Sequence, residues 1–157
     1  MDDAQSRLVV TGITELPEGV ETLCADAEAQ GFSFVTRCVD AWRGGVNRFD
    51  RPGEAMFGAW RGPELLGICG LNRDPYDTRS GVGRLRHLYV ASWARHQGIA
   101  TMLVARCLEQ AWGVFHRVRL RVPGPEAAQF YERYGFAPVD EPEASYAVDI
   151  SDWRAQQ

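Results

Sequence analysis

The sequence contains no lysine; all 17 of its basic side chains are arginine. That excludes a lysine Schiff base, a lysine general base and modification of a lysine within the chain itself. Cysteine is scarce as well. Cys24, Cys38, Cys69 and Cys107 stand far apart among apolar neighbours, with no Cys-x-x-Cys and no mixed Cys/His spacing. This pattern offers no metal-ligand set and predicts reduced, buried thiols. Long apolar runs are missing too: the longest, near Leu65–Leu71, falls far short of the roughly 20 residues of a membrane span. Nor is there an excess of positive charge. A net charge of −4 argues against general affinity for nucleic acid or an anionic membrane. The first residues, Met-Asp-Asp-Ala-Gln-Ser-Arg, lack the basic and apolar regions of a signal peptide, which points to the cytoplasm.

What remains is an ordinary globular composition, 45% hydrophobic and 24% charged over 157 residues. Such a chain suffices for one domain, residues 1–157, with a real core. Arg7–Ile13 reads as a first strand. Pro17 suits a helix's first turn, and Leu16, Val20, Leu23, Cys24 and Ala27 recur at helical spacing up to Gly31. Ser33 is placed to cap a second helix, with Phe34, Val35, Cys38, Val39 and Trp42 on one face and Gly44-Gly45 at its end. Ala55–Arg61 and Leu65–Leu71 flank Gly62-Pro63-Glu64, a hairpin signal. Two polar loops, Val46–Gly53 and Asn72–Gly83, bracket this hairpin.

Arg84–Val90 is a fourth strand, followed by a helix from about Gly98 to Trp112 that turns Ile99, Met102, Leu103, Cys107 and Trp112 toward a core. Arg117–Val122 alternates strictly, with Arg117, Arg119 and Arg121 on one face. Glu126–Tyr134 carries Ala127, Phe130, Tyr131 and Tyr134 at i, i+3, i+4 and i+7, and Gly135 stops it. Phe136–Val139 and Ser145–Ile150 close the chain as strands. The order βααβββαβαββ predicts an α/β fold, a mixed sheet with helices covering its faces.

The junction Leu88–Thr101 draws most attention. A strand end there runs through Arg95-x-x-Gly98-x-Ala100 into a helix, leaving the first backbone N–H groups without intrahelical partners at the positive end of the helix dipole. A phosphate or pyrophosphate is the natural occupant of such a site.

Two motifs together resemble the GNAT superfamily of acyl-coenzyme A-dependent N-acyltransferases. One is Leu88-Tyr89-Val90 followed by Arg95-x-x-Gly98-x-Ala100, similar to that family's pyrophosphate loop. The other is Ala127-x-x-Phe130-Tyr131-x-x-x-Gly135-Phe136, similar to its C-terminal helix motif. The order of elements agrees across nearly the whole chain. The resemblance implies acetyl-coenzyme A as acyl donor, no metal, and a primary amine of a small molecule as acceptor. Leu88, Tyr89, Val90, Arg95, His96, Gln97, Gly98, Ile99, Ala100 and Thr101 would bind the donor.

Tyr131 matches the family's thiol-protonating tyrosine; from periodicity alone it is an ordinary core residue. For the base, the resemblance leads to an acidic residue or histidine on strand four, and this strand offers His87. Strict alternation turns His87 away from the face of Arg86 and Leu88, so only a bulge would re-aim it. Water relayed to a carbonyl, Glu54 or Asp74 are the other choices, and His96 and His116 read as solvent-facing. Gly124 stands where many members have asparagine.

Arg84, Arg86, Arg119 and Arg121 lie on neighbouring strands. On a shared acceptor face they would recognise a carboxylate; otherwise they form a solvated or ion-paired face. The two polar loops are the expected acceptor walls. A homodimer is compatible with all of this. The competing reading is a non-catalytic acyl-coenzyme A sensor or interaction module.

Overall fold

The computed structural model describes residues 7–157. The elements run β1 (Leu8–Gly12), α1 (Val20–Ala29), α2 (Phe34–Arg43), β2 (Ala55–Arg61), β3 (Glu64–Arg73), β4 (Val82–Val90), a 3-10 turn (Ser92–Ala94), α3 (Ile99–Ala111), β5 (Arg117–Leu120), α4 (Pro125–Arg133), β6 (Ala137–Glu141), β7 (Ala144–Asp149) and α5 (Ile150–Ala155). The predicted order holds, with the 3-10 turn and α5 added. α5 begins where the Asp149 carboxylate accepts a hydrogen bond from the Asp152 N–H.

The strands form one seven-stranded sheet in the order β1-β2-β3-β4-β5-β7-β6. Only β4 and β5 run parallel; the other neighbours are antiparallel. Side chains alternate along a strand, so Gly67 and Gly70 of β3 mark opposite faces. A Cβ on Gly67 would crowd Leu103 and Ile99 of α3, and one on Gly70 would strike Phe49. Helix α3 therefore covers one face across β2, β3 and β4, while Phe49 fills the other, where α1 and α2 contact β3 and β4. Leu23, Val35, Leu71, Leu103, Leu108 and Val118 are among the most deeply buried side chains.

Several boundaries depart from the sequence expectation for local reasons. Gly19 caps α1 in the left-handed region at φ 89°, so Pro17 lies in the turn before the helix rather than in its first turn. The hairpin turns on Gly62-Pro63 alone, because Glu64 already pairs with Arg61. Ser33 occupies the N-cap of α2, but its Oγ accepts from Arg37 Nη1 at 2.7 Å instead of capping. Met102 and Trp112 are 38% and 48% exposed, against the expectation that both face the core. Val104, Leu108 and Ala111 fill that role, and the backbone turns extended at Trp112.

The feature that positions the site is the β4–β5 seam. Val82, Gly83 and Arg84 pair with Arg117, Val118 and Arg119, and the pairing then stops. β5 ends at Leu120 while β4 continues to Val90. From Leu85 onward β4 has no strand partner on its β5 side, and the two strands part around open space. Among the described residues no helix is long and apolar enough to cross a membrane.

Candidate active site

Two adjoining cavities occupy the splay between β4 and β5. The first, about 420 Å³, opens at the β4-to-α3 junction and is lined by Leu88–Val90, Ala94–His96 and Gly98–Thr101 together with Phe32, Phe34, Pro123 and Phe130. The second, about 520 Å³, continues along Arg84–Leu88 toward Arg37, Arg121, Ala127 and Tyr131. Phe32, Phe34, Leu88, Ala100, Pro123 and Phe130 belong to both.

The first cavity has the chemistry of an anion site. Gly98 takes φ 77°, and a Cβ built on it meets nothing within 4 Å, so the loop backbone faces open space. Among the described residues, no backbone N–H from Arg95 through Thr101 donates to a protein acceptor. The first inward bond is Met102 N–H to Gly98 C=O at 3.1 Å. A row of unpaired donors at the start of a 13-residue helix fits a pyrophosphate.

Nine of the ten residues expected at this site line the cavity. Gln97 does not: its Oε1 accepts from Arg61 Nη1 at 2.8 Å on the outer side of the loop. Arg95 is exposed, with its guanidinium 5.7 Å from the Tyr89 ring centroid.

Asp26, on α1, fixes the shape of this loop. Its carboxylate accepts hydrogen bonds from Tyr89 Oη at 2.5 Å, Ser92 N–H at 2.8 Å and Ser92 Oγ at 2.6 Å. Burial opposes its charge, but the Ser92 and Tyr89 hydrogen bonds win and hold its pKa below the ordinary carboxylate range. Burial, then the same contact, push Tyr89 up to about 12. Tyr134 adds a second tie, donating from Oη to the Thr101 carbonyl at 2.7 Å and joining α4 to the start of α3. Nothing in the local sequence marks Asp26, which lies 63 and 66 residues from its partners.

In the larger cavity β4 carries the bulge on which the aim of His87 depends. Ile68 pairs with Tyr89 and Gly70 with Arg86, so Cys69 alone stands opposite His87 and Leu88. His87 takes φ 62°, and Arg86, His87 and Leu88 all reach the cavity, which strict alternation forbids. The imidazole stacks on Phe34 at 6.4 Å and meets the edge of Phe49 at 6.1 Å. Burial, then the charges of Arg86 and Arg37, push its pKa down to about 3. His87 is neutral at physiological pH. His96 and His116 are exposed.

Tyr131 lies on α4, packed against Phe130 at 5.1 Å and Phe136 at 5.4 Å. It is 7% exposed, and burial raises its pKa far above the ordinary tyrosine value. Gly124, fully extended at φ −178°, precedes α4 as its N-cap.

Among the described residues, no aspartate or glutamate lines either cavity. Glu54 accepts from the Arg73 N–H at 2.9 Å outside them. Asp74 is buried and engaged by Arg119 Nε at 2.8 Å, Arg84 Nη1 at 3.5 Å and the Tyr76 N–H at 2.9 Å. Neither carboxylate is placed to take a proton from an acceptor in the cavity.

The expected acceptor face and walls also change. Arg84, Arg86 and Arg121 reach the cavity, but Arg119 does not; it lies 2% exposed within a cluster of Asp74, Asp77 and Glu141. The polar loops are not the walls. Residues 46–53 insert Phe49 into the core, and Asp74 and Asp77 of the other loop are consumed in ion pairs. Phe32, Phe34 and Arg37, at the α1–α2 junction, form the wall instead. Two large aromatics flanking Gly31 and Ser33, one of them 38% exposed, were the available signal.

A sequence profile of the acetyltransferase (GNAT) family matches residues 20–136, and no curated protein matches the chain. Among solved structures, a candidate acetyltransferase of Exiguobacterium sp. 255-15 is 25% identical, with a TM-score of 0.87, covering 96% of this chain and 99% of its own. An N-acetyltransferase of Staphylococcus aureus Mu50 superposes with a TM-score of 0.66 at 12% identity, covering 92% of this chain and 99% of that one. A mutant AtaT toxin, bound to the C-terminus of the antitoxin AtaR and acetyl-CoA, superposes with a TM-score of 0.71 at 18% identity, covering 95% and 97%. The profile match begins with α1, takes in the unpaired loop donors and the splayed seam, and ends just before β6: the chain belongs to the GNAT family of acetyltransferases.

Proposed function

We infer that the protein is an N-acetyltransferase that moves an acetyl group from acetyl-coenzyme A to a primary amine of a small molecule. The observation that carries this reading is the row of unpaired N–H groups from Arg95 to Thr101, opening into a cavity continuous with the one beside Tyr131. The open volume of about 520 Å³ next to Tyr131 favours an enzyme over a non-catalytic acyl-coenzyme A sensor, whose acceptor cleft would be filled by its own side chains.

The loop N–H groups and the dipole of α3 hold the donor's pyrophosphate. Bound acetyl-coenzyme A supplies the thioester and a thiolate leaving group. Leu88–Val90 have no strand partner on the β5 side; the Val90 carbonyl accepts from Arg95 Nε at 3.4 Å, and the rest of this main chain orients the acyl arm. Holding both reactants in one splayed seam supplies much of the acceleration.

Tyr131 keeps its phenolic proton throughout the physiological range and delivers it to the departing sulfur as the C–S bond breaks and the new C–N bond forms. A phenol is a weaker acid than the thiol formed, so the proton moves only as the C–S bond breaks and charge gathers on sulfur. Burial disfavours a free thiolate as it disfavours phenolate, and water then restores the tyrosine's proton. The amine's proton leaves through water in the open cavity and the tyrosine is reprotonated, which balances the reaction. His87, neutral with a pKa of about 3, accepts an N–H hydrogen bond from the amine and orients it without storing the proton.

The test is calorimetric titration with acetyl-coenzyme A. Gly98→Val fills the space in front of the loop donors and should abolish binding while leaving the thermal transition cooperative. Gly98→Ala, which adds a smaller group to the same left-handed backbone, should weaken binding less. Undiminished affinity in folded Gly98→Val refutes the cradle.

A further inference from the structure

We propose that the acceptor is a primary amine carrying an oxyanion, carboxylate or phosphate, on an apolar body, with the oxyanion held between Arg37 and Arg86. The inference rests on the acetyltransferase reading above and names the substrate class of that same site.

The argument starts from which charges are already answered. Around the β4–β5 seam most arginines have a carboxylate of their own. Arg117 takes Glu141 through two bonds of 2.9 and 2.8 Å, Arg119 takes Asp74 at 2.8 Å, and Arg79 takes Asp77 at 2.7 Å. Arg84 shares Asp74, and Arg121 reaches Glu143 at 3.5 Å. Arg37 and Arg86 differ. Both line the larger cavity, and among the described residues neither pairs with a carboxylate.

Their partners are neutral. Arg37 donates to Ser33 Oγ at 2.7 Å. Arg86 donates to Asn72 Oδ1 at 3.4 Å, and Asn72 is itself held by reciprocal amide bonds with Asn47 of 2.9 and 3.0 Å. Neutral amides and a hydroxyl position the two guanidiniums without cancelling their charge. Among the described residues, no aspartate or glutamate lines this cavity.

His87 lines the same cavity and is held neutral by burial, then by the charges of Arg86 and Arg37, so it neither competes for the anion nor adds charge against the amine. Arg37, from α2, and Arg86, from β4, line the same cavity from two different elements. Phe34 packs against His87 and Phe130 against Tyr131, and both line the cavity, so they supply its apolar surface. Two unanswered guanidiniums favour an oxyanion through charge-assisted hydrogen bonds and repel a polycationic amine.

The experiment uses two matched pairs of amines: L-phenylalanine against phenethylamine, and O-phosphoethanolamine against ethanolamine. Coenzyme A release gives kcat/KM, and calorimetry on the coenzyme A-loaded protein gives binding whether or not turnover occurs. The anionic member of at least one pair should be preferred by about 10- to 100-fold, the range for loss of a charge-assisted hydrogen bond. The pair that discriminates tells carboxylate from phosphate. Arg37→Gln with Arg86→Gln should collapse that preference toward one. Arg37→Gln alone, on the exposed surface of α2 where folding is not at stake, should reduce it part of the way.

Absence of preference in both pairs, absence of binding by both anionic members, or a preference that survives the double substitution overturns the assignment. Failure of acetyl-coenzyme A to bind, or binding of anionic amines without any coenzyme A release, strikes the acetyltransferase reading instead.

Discussion

Tyr131 illustrates how one side chain serves packing and chemistry together. Its ring packs against Phe130 and Phe136, which accounts for its place on the apolar stripe of α4, while the side chain also lines the larger cavity. Removing only the oxygen separates the two roles. Tyr131→Phe keeps the ring contacts, so the melting temperature should stay close to that of the parent. Turnover should fall by about 10²- to 10⁴-fold, the usual worth of a positioned proton donor. Acetyl-coenzyme A affinity should change little, because the loop donors are untouched. Steady-state kinetics beside calorimetry would decide it: unchanged turnover removes Tyr131 from the chemistry, and a parallel loss of affinity makes it a donor-binding residue instead.

Among elements, the β4-to-α3 junction depends on α1 through one carboxylate. Asp26 gathers the hydroxyl of a buried tyrosine, a backbone N–H and a serine hydroxyl, and so sets the path by which β4 enters the loop. Asp26→Ala strands the Tyr89 hydroxyl and frees the 3-10 turn, which should cost about 1–3 kcal/mol in denaturant unfolding. It should also weaken acetyl-coenzyme A binding several-fold although Asp26 lines neither cavity. In a double-mutant cycle with Tyr89→Phe the losses should be non-additive, since the second change removes a group the first leaves unpaired. Additive losses with unchanged affinity would make the contact incidental.

This junction also shows what could be read in advance. The loop glycine, the helix start and the aromatic stripe of α4 are local patterns, written in consecutive residues, and the sequence conveyed them with small errors of boundary. Asp26, Arg37 and the neutralisation of Arg119 depend on residues dozens of positions apart, and no local period records them. The His87 bulge lies between these cases. Alternation predicts where His87 points if β4 is regular, but the extra residue appears only when β4 is laid against β3. Met102 and Trp112 failed for a related reason: apolar character fits a helical stripe, yet the face that α3 buries is chosen by the sheet beneath it.

Across the whole molecule, the sheet is closed at one end of the β4–β5 seam and open at the other, and acid should act differently on the two ends. At the closed end Arg117, then Arg119, hold Glu141 from an ordinary 4.5 down to about 2, and Arg79, helped by Arg119, holds Asp77 lower still. At the open end, burial holds His87 from 6.5 down to about 3. Each of these groups binds a proton more readily in the unfolded chain than in the folded one. Folded stability therefore falls with falling pH across each window, by about 1.4 kcal/mol per pH unit for each proton taken up on unfolding.

His87 acts first, from about pH 6.5 toward 3, and Glu141 joins below about pH 4.5. Urea midpoints measured from pH 8 to 3 should be flat above pH 7 and decline below it. His87→Gln cannot take up the proton, so it should flatten the curve between about pH 6.5 and 4.5 while leaving the steeper acid limb. Glu141→Gln should do the reverse: it lowers stability at pH 7, where the ion pairs are intact, and its gap from the parent narrows as acid protonates the carboxylate it lacks. If His87→Gln keeps the upper slope, that imidazole is charged in the folded protein, and the neutral hydrogen-bond acceptor assigned to the acetyl-transfer site must be replaced by a cation there.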